Sequence, residues 1–247
     1  MRLEAMLVLL VLSGCASGGG RAVGNSPGQM SSAGRMNLAL AEEYLAQNQL
    51  EKASASAAVA LAADPGAAYP HAMMAMIHAR NGDAAKSKRE FDRALHIAPG
   101  DGSVLNAYGS TLCEQGKTGE ADAQFKLALK DPNYAQPAQA LVNAGRCAHG
   151  AAHWAAAEGY LRSAVAIAPE DPQVLYLLAD TEFHQGNLMQ ARAFVERRDA
   201  LGKDSATLEL AARIEEAAGN SASAARYRQR INEVDVVPTD ADGTPGQ

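Results

Sequence analysis

A pattern of small residues and helix breakers that returns about every 34 residues constrains this chain more than any other feature of its sequence. In residues 101–135, Gly109, Ala121 and Ala128 stand 12 and then 7 positions apart, and Gly116 and Pro132 interrupt the apolar periodicity. Glycine ends a helix without steric cost, and proline cannot continue one. The stretch therefore predicts two short helices, over about 103–115 and 118–130, that pack closely because the residues between them are small.

The same spacing recurs along the chain and defines six units, at about 34–67, 68–101, 102–135, 138–171, 172–204 and 205–237, with two residues inserted between the third and the fourth. The small residues recur as Ala41/Ala53/Ala60, Ala75/Ser87/Ala94 and Gly145/Ala157/Ala164, the breaker as Asn48, Gly82, Gly186 and Gly219, and the closing proline as Pro65, Pro99 and Pro169. The last two units are degenerate, because Arg198 and Ile231 stand where a small residue is expected. Terminal repeats often depart from the pattern, since one of their sides faces water.

Paired helices with this period resemble the tetratricopeptide repeat. The resemblance implies an all-α fold, an α-solenoid of about six helix-turn-helix units over residues 34–237, in which the first helix of each unit lines a concave face. We expect one elongated domain, because stacked repeats share a continuous core.

The first 14 residues read as a signal peptide, since a short apolar run, too short to span a bilayer, leads into a possible cleavage site. Leu12-Ser13-Gly14-Cys15 is similar to a bacterial lipobox, which predicts lipidation of Cys15. The alternative is an ordinary secretory signal that happens to contain a cysteine. Ala16 follows the cysteine, and by resemblance to sorted bacterial lipoproteins it favours the outer membrane over the inner one.

Both ends of the mature chain lack apolar content. Residues 15–33 are rich in Gly and Ser and predict a lipidated, flexible tether that spans roughly 25 Å as a random coil. Residues 238–247 contain turn formers and no hydrophobic anchor, so we expect a disordered tail.

The charge of the chain argues against nucleic acid as a partner. The formal net charge is −6 and the pI is about 5.5, whereas nucleic-acid binding calls for a basic surface. Two arginine clusters lie at helical spacing among carboxylates, and we expect them, with the adjacent Glu215 and Glu216, to form a solvated face. The clusters are Arg192/Arg197/Arg198 and Arg226/Arg228/Arg230.

The other two cysteines fall near the same place in the first helices of the third and fourth units. If those helices stack side by side, Cys113 and Cys147 can form a disulfide in the periplasm. The alternative is two buried free thiols.

The histidines predict no metal site, because His149 and His153 are separated by an expected helix break and no further ligand completes tetrahedral coordination. No catalytic motif stands out, so we expect neither an enzyme nor a cofactor.

What remains is a binding surface on the concave face. Counting from each repeat start gives a partner-binding groove formed by Leu38, Leu45, Tyr69, Met76, Asn106, Arg146 and Tyr176, with Ala72, Val142, His149, Asp180 and Phe183 at further groove positions. The apolar members, Leu38 foremost, could instead pack in the core. Leu38, Leu45 and Met76 together predict an apolar strip at the membrane-tethered end, which can accept an amphipathic helix or an extended strand.

The lipobox, the Gly/Ser-rich segment, the six units and residues 125–231, which begin FKLALKDPNYAQPAQALVNAGRCAHGA, resemble the PilF/PilW type IV pilus biogenesis proteins. Most distinctive is the lengthened junction Asp131–Gly145. The resemblance implies a pilotin, a lipoprotein on the periplasmic face of the outer membrane that binds the type IV pilus secretin and promotes its localisation or multimerisation. Its acyl chains would insert in the inner leaflet, and we expect a monomer by itself. The alternative is a periplasmic adaptor for peptidoglycan enzymes or for outer-membrane protein insertion.

Overall fold

The computed structural model describes residues 30–202 and 204–235, and all twelve elements in this part of the chain are α-helices. They are α1 (Ser32–Ala46), α2 (Leu50–Ala63), α3 (Ala68–Arg80), α4 (Ala84–Ile97), α5 (Gly102–Glu114), α6 (Thr118–Ala128), α7 (Pro137–Gly150), α8 (Trp154–Ile167), α9 (Pro172–His184), α10 (Leu188–Ala200), α11 (Ser205–Ala217) and α12 (Ser221–Asp235). Each odd-numbered helix pairs with the helix that follows it, and successive pairs stack on one another. The prediction of an all-α solenoid is confirmed.

The helical pairs begin close to the predicted repeat starts, with two informative differences. The first pair begins at Ser32, and Met30 before it is only 2% exposed, so the predicted tether extends too far into the folded region. The Ser31 side chain caps α1, and its own backbone N–H donates to the Asp64 carboxylate across the hairpin. Pro137, counted as an insertion, is the first residue of α7, where its missing N–H leaves no helical bond unmade.

The small residues of the repeat pattern lie between the two helices of each pair. Ala41, Ala53 and Ala60 are completely buried in the first pair. In the third pair, a β-carbon added at Gly109 would lie 2.8 Å from the ring of Phe125, which is itself 1% exposed. Larger side chains at these positions would force the helices apart, so the pattern sets how closely they approach.

The turns inside the hairpins end the first helix in the left-handed region of the backbone. Gly82, Gly116, Gly186 and Gly219 have φ between 75° and 80°, as their place in the repeat predicts. The fourth hairpin puts Ala152 there instead, with φ 57°, although a side chain makes this conformation unfavourable. The turn is kept because the Ala152 N–H donates to the His149 carbonyl and the next N–H donates to Ala148.

The first helices form the inner face of the solenoid. Helices α1, α3, α5, α7, α9 and α11 each contact the next in this series, whereas no pair of second helices within the described residues makes a comparable contact. Because the first helices lie closer to one another than the second helices do, they form the shorter, inner side of a curved stack. The concave face therefore belongs to the first helices, as the repeat resemblance implies.

The lengthened junction between the third and fourth pairs folds back on the protein. Tyr134 is 8% exposed and lies against Gly102, where an added β-carbon would come within 2.6 Å of its ring. The Asp131 carboxylate accepts a hydrogen bond of 2.8 Å from the Gly102 N–H. The extra residues thus cover the start of the third hairpin while they carry the chain to α7.

We expect Ala152→Gly to stabilise the protein, because glycine adopts a positive φ without the penalty that alanine incurs. The gain is about 1 kcal/mol, or roughly 2–4 °C in Tm. Gly116→Ala is the matched opposite change, since an added β-carbon there meets no atom within 4 Å and only the backbone conformation opposes it. Thermal melts of both variants test this. A lower Tm for Ala152→Gly would contradict the explanation.

Candidate partner-binding site

The N-terminal half of the concave face is apolar, but not through all of the residues predicted for it. Leu45, Tyr69 and Met76 are partly buried and pack at the edge of the core of the first two hairpins, so each keeps an exposed surface. Leu38 is 7% exposed and belongs to the core, beside Met30. Its assignment to the groove was wrong, because its side chain is buried in the core of the first two hairpins.

A second apolar surface was missed by sequence reasoning. On the side of α1 away from the other hairpins, Met36 is 62% exposed and Leu40 is 42% exposed. In the later hairpins the equivalents of Met36, namely Pro70, Val104, Ala140, Val174 and Thr207, are all buried. The equivalents of Leu40 are buried in the last three hairpins and partly buried in the second and third. Among residues 30–202 and 204–235 no hairpin precedes α1, and these two side chains on it stay exposed. The signal in the sequence was a pair of large apolar residues at stacking positions of the first repeat.

The middle of the concave face is a network of amides. Asn143 Nδ2 donates to Asn106 Oδ1 at 3.1 Å, which joins the third and fourth hairpins. Asn143 Oδ1 accepts from Gln139 at 3.1 Å and from Arg146 Nη2 at 3.2 Å. Asn106 and Arg146 therefore lie together, as predicted for the groove, while Val142 and Ala72 are buried and line no groove.

In the C-terminal half, Asp180 connects three hairpins. His149 Nε2 lies 2.8 Å from its carboxylate, His184 Nε2 lies 3.7 Å away and Arg213 Nη1 lies 3.9 Å away. Burial would raise the pKa of Asp180, but the hydrogen bond with His149 and the surrounding positive charges outweigh it, and the pKa falls below its usual value. Asp180 thus serves as an internal connector and offers little surface of its own.

Aromatic rings surround this connector. The Arg213 guanidinium carbon lies 4.8 Å from the centre of the Phe183 ring, a cation–π contact. Trp154, at the start of α8, stacks on His184 with ring centres 4.4 Å apart and meets His149 edge-on at 5.3 Å. Tyr176, the last predicted groove residue, is half-buried, and burial raises the pKa of its phenol.

The arginine clusters predicted to be a solvated face are solvated only in part: Arg197, Arg226 and Arg228 are exposed, whereas the other three are half-buried in ion pairs. Arg192 on α10 forms a salt bridge with Glu215 on α11, and Glu215 is only 5% exposed. Arg230 reaches Asp199 at 2.7 Å, and Arg198 reaches Asp204 at 2.6 Å. Helical spacing could not reveal these partners, because no arginine shares a helix with its carboxylate: Glu215 lies on α11, Asp199 on α10, and Asp204 caps the start of α11.

The same arrangement occurs one hairpin earlier, where Arg162 on α8 pairs with the fully buried Glu182 on α9 and Asn187 donates to the same carboxylate at 2.8 Å. A buried carboxylate requires such partners, since an unpaired charge is costly away from water. The two pairs tie the last three hairpins together.

Cys113 on α5 and Cys147 on α7 are joined as a disulfide in the structure, with α-carbons 5.8 Å apart. The bond links the C-terminal ends of the first helices of two successive hairpins, at the opposite end of α5 from the lengthened junction. Cys15, the predicted lipidation site, lies outside the described residues.

Within residues 30–202 and 204–235, no helix has the length and apolar character needed to cross a membrane. In the same ranges, no group of three or more His, Cys, Asp or Glu residues is arranged to hold a metal ion.

Comparison with known proteins identifies one matching family model and several relatives. A tetratricopeptide repeat model matches residues 148–214. An uncharacterized protein of Haemophilus influenzae is 31% identical over 150 residues, covering 61% of this chain and 81% of the relative. The type IV pilus assembly protein PilF of Pseudomonas aeruginosa is 25% identical over 199 residues, 79% of each chain. The crystal structure of PilW, described as a widely conserved type IV pilus biogenesis factor, superposes with a TM-score of 0.71 at 28% identity, covering 82% of this chain and 94% of PilW.

We expect the disulfide to form in protein exported to the periplasm and to stabilise it. Closing a loop of 34 residues contributes about 3–4 kcal/mol in the chain-entropy model, so Cys113→Ser with Cys147→Ser should lower the free energy of unfolding by that amount. Peptide mass mapping without reductant should recover the linked pair. Complete alkylation of both thiols in unreduced protein would contradict the prediction.

Proposed function

Because the chain belongs to the tetratricopeptide repeat family and has the type IV pilus proteins PilF and PilW among its homologues, we propose that it is a lipoprotein scaffold of type IV pilus biogenesis. In this proposal it acts as a pilotin: it binds the pilus secretin subunit and promotes its localisation or multimerisation in the outer membrane. The protein itself would lie on the periplasmic face of that membrane, where acyl chains on Cys15 would hold it.

The observation that carries the proposal is the open apolar end of the solenoid. Met36 occupies a position that is buried in every later hairpin, yet Met36 is exposed in the first, and so is Leu40 one turn after it. A capping repeat normally presents polar residues outward. The outer side of α12 does so at the other end, with Arg226, Gln229 and Glu233 exposed. The N-terminal end is therefore the one suited to receive a partner.

The geometry favours an amphipathic helix as the bound segment. In the later hairpins the stacking surface is covered by a helix, so a partner helix can pack on Met36 and Leu40 as an additional second helix. Leu45 and Met76, which are partly buried against the core of the first two hairpins, add apolar surface at the same end of the solenoid. Each square ångström removed from water contributes about 25 cal/mol, which makes such a surface suited to shield an apolar secretin segment before insertion.

The proposed role requires affinity for a subunit and for a membrane, but no chemical step. The predicted segment between Cys15 and the first helix is short, so the open end of the solenoid would stay near the lipid surface. A secretin subunit bound there would be delivered to the leaflet in which the acyl chains lie.

The binding surface can be tested with two matched double variants. Met36→Glu with Leu40→Lys places charges on the open face, and we expect secretin affinity to fall about tenfold or more, because those charges must be desolvated on binding. Met189→Glu with Leu201→Lys makes the same changes at residues that are 78% and 42% exposed elsewhere, and it should bind normally. The measurement is pull-down of the secretin, with circular dichroism as a check on folding.

Equal secretin binding by the two double variants would remove the open face from the proposal. Leu45→Glu with Met76→Glu then asks whether the concave side binds the secretin alone. Capture of peptidoglycan enzymes or of the outer-membrane insertion machinery, with no secretin, would favour the adaptor function instead.

The anchor has its own test. We expect Cys15→Ser to leave the repeats folded but to release the protein from the outer membrane, because stable anchoring needs more than one acyl chain or a spanning helix. Membrane fractionation in cells that lack the secretin measures this. Retention of the variant in the outer membrane under these conditions would contradict the lipoprotein assignment.

A further inference from the structure

A buried carboxylate joins the fourth hairpin to the fifth on the outer side of the solenoid, where the second helices lie. Glu182 is fully buried, and it accepts hydrogen bonds from the Arg162 guanidinium and from the Asn187 amide. Arg162 is also bonded to Glu158 on its own helix at 2.6 Å, and it lies over the ring of Phe194. One cation therefore serves a partner on its own helix and a buried carboxylate at the same time.

The next boundary along the chain has the same kind of carboxylate. Glu215 stands at the position of the sixth unit that Glu182 occupies in the fifth, and it is 5% exposed. It accepts hydrogen bonds from Arg192 Nη2 at 3.0 Å and from Asn220 Nδ2 at 2.9 Å. Two successive boundaries thus place a carboxylate at one position of the first helix and surround it with donors from neighbouring elements.

The boundary between the third and fourth hairpins has comparable partners but lacks the carboxylate. Lys126 takes the place of the first arginine, and it is bonded to Asp122 at 2.7 Å as that arginine is to its helix partner. Tyr160 takes the place of the phenylalanine and donates to the same aspartate. His153 takes the place of the asparagine, and within the described residues its exposed side chain has no hydrogen-bond or ion-pair partner. Ala148 takes the place of the glutamate.

An open cleft lies where the carboxylate is missing. Its volume is about 650 Å³, within the range of about 300–1,000 Å³ that is usual for small-molecule sites. Ala148, Lys126 and His153 all line it. Much of the remaining lining is apolar or small, and it includes Phe125, Leu141, Ala144, Ala156 and Gly159. The cleft thus combines an apolar interior with two basic side chains.

Lys126 can bind a second carboxylate although it is already paired with Asp122. An ammonium group has three N–H donors, and the Lys126 side chain is 62% exposed, so it is not fixed by packing. Arg162 makes both kinds of contact at once at the next boundary. His153 adds a further donor, and unlike asparagine it can also carry a positive charge.

We propose that this cleft binds a small organic acid, whose carboxylate takes the place that Glu182 and Glu215 fill at the later boundaries. The carboxylate accepts charge-assisted hydrogen bonds from Lys126 and His153, and a compact apolar body contacts the apolar lining. The α8 residues of the lining run from 155 to 163, a helix length of about 12 Å, which suits one ring with a short chain. The site lies outside the concave face and does not depend on the proposed pilus role.

The probe for the test is 3-phenylpropionate, and its matched control is the uncharged 3-phenylpropionamide. NMR titration of the full chain should show that the acid binds about tenfold or more tightly than the control, because only the acid offers a charged acceptor to the lysine. The backbone N–H signals that move should be those of Ala148, His153 and Gly159 in the cleft. The signal of Asn106 on the concave face should stay in place.

Substitutions locate the site on the protein. Lys126→Met should lower the affinity for the acid about tenfold or more, whereas Lys126→Arg, which copies Arg162, should keep it within about twofold. Lys130→Met removes an equal charge from an exposed residue just after α6, and it should also leave the affinity within about twofold. Ala148→Glu should lower the affinity at least about tenfold, because the new carboxylate occupies the site itself. Circular dichroism checks that each variant is folded.

Three results would overturn the proposal. Equal or undetectable binding of the acid and the uncharged control would show that the cleft recognises no carboxylate. Equal loss of affinity in Lys126→Met and Lys130→Met would place the binding elsewhere. Tighter binding of the peptide acetyl-GGF, with a free carboxyl end, than of 3-phenylpropionate would assign the cleft to the end of a protein chain and not to a small acid.

Discussion

The close contact between the two helices of each hairpin is the constraint on which the rest of the structure depends. Gly109 against Phe125 and the fully buried Ala41, Ala53 and Ala60 show how small residues set that contact. With the helices of a pair held together, stacked pairs bring their first helices close to one another, and the stack curves. The concave face and its two ends follow from this packing.

The chemistry of the surface changes along the solenoid. The first hairpins present methionine, leucine and tyrosine at their surface, and the open stacking face of α1 belongs to this apolar end. The last three hairpins are joined by buried ion pairs, such as Arg162–Glu182 and Arg192–Glu215, and leave arginines on the concave side. Because a buried carboxylate needs a fixed partner, these pairs also hold the degenerate repeats in register, where Arg198 and Ile231 replace small residues.

The disulfide and the lengthened junction lie at the boundary between these two halves. Cys113–Cys147 joins α5 to α7 on one side, and Tyr134 packs over Gly102 on the other. Both features restrain the step at which the regular period of the repeat is interrupted.

The sequence by itself determined the elements and their order, because helix breakers and small residues such as Gly116 and Ala121 act locally and recur at a fixed period. It also predicted which residues of the first helices approach the groove, including Leu45, Asn106 and Arg146. Only the tertiary structure decided which of these side chains stay exposed. Leu38 is buried in a core cluster that also contains Met30 from before the repeat. Met36 and Leu40 stay exposed on the first helix that the structure describes, and Glu215 pairs with Arg192 on a neighbouring helix. Burial and charge pairing depend on neighbours distant in sequence, and a periodic pattern specifies positions without specifying those neighbours.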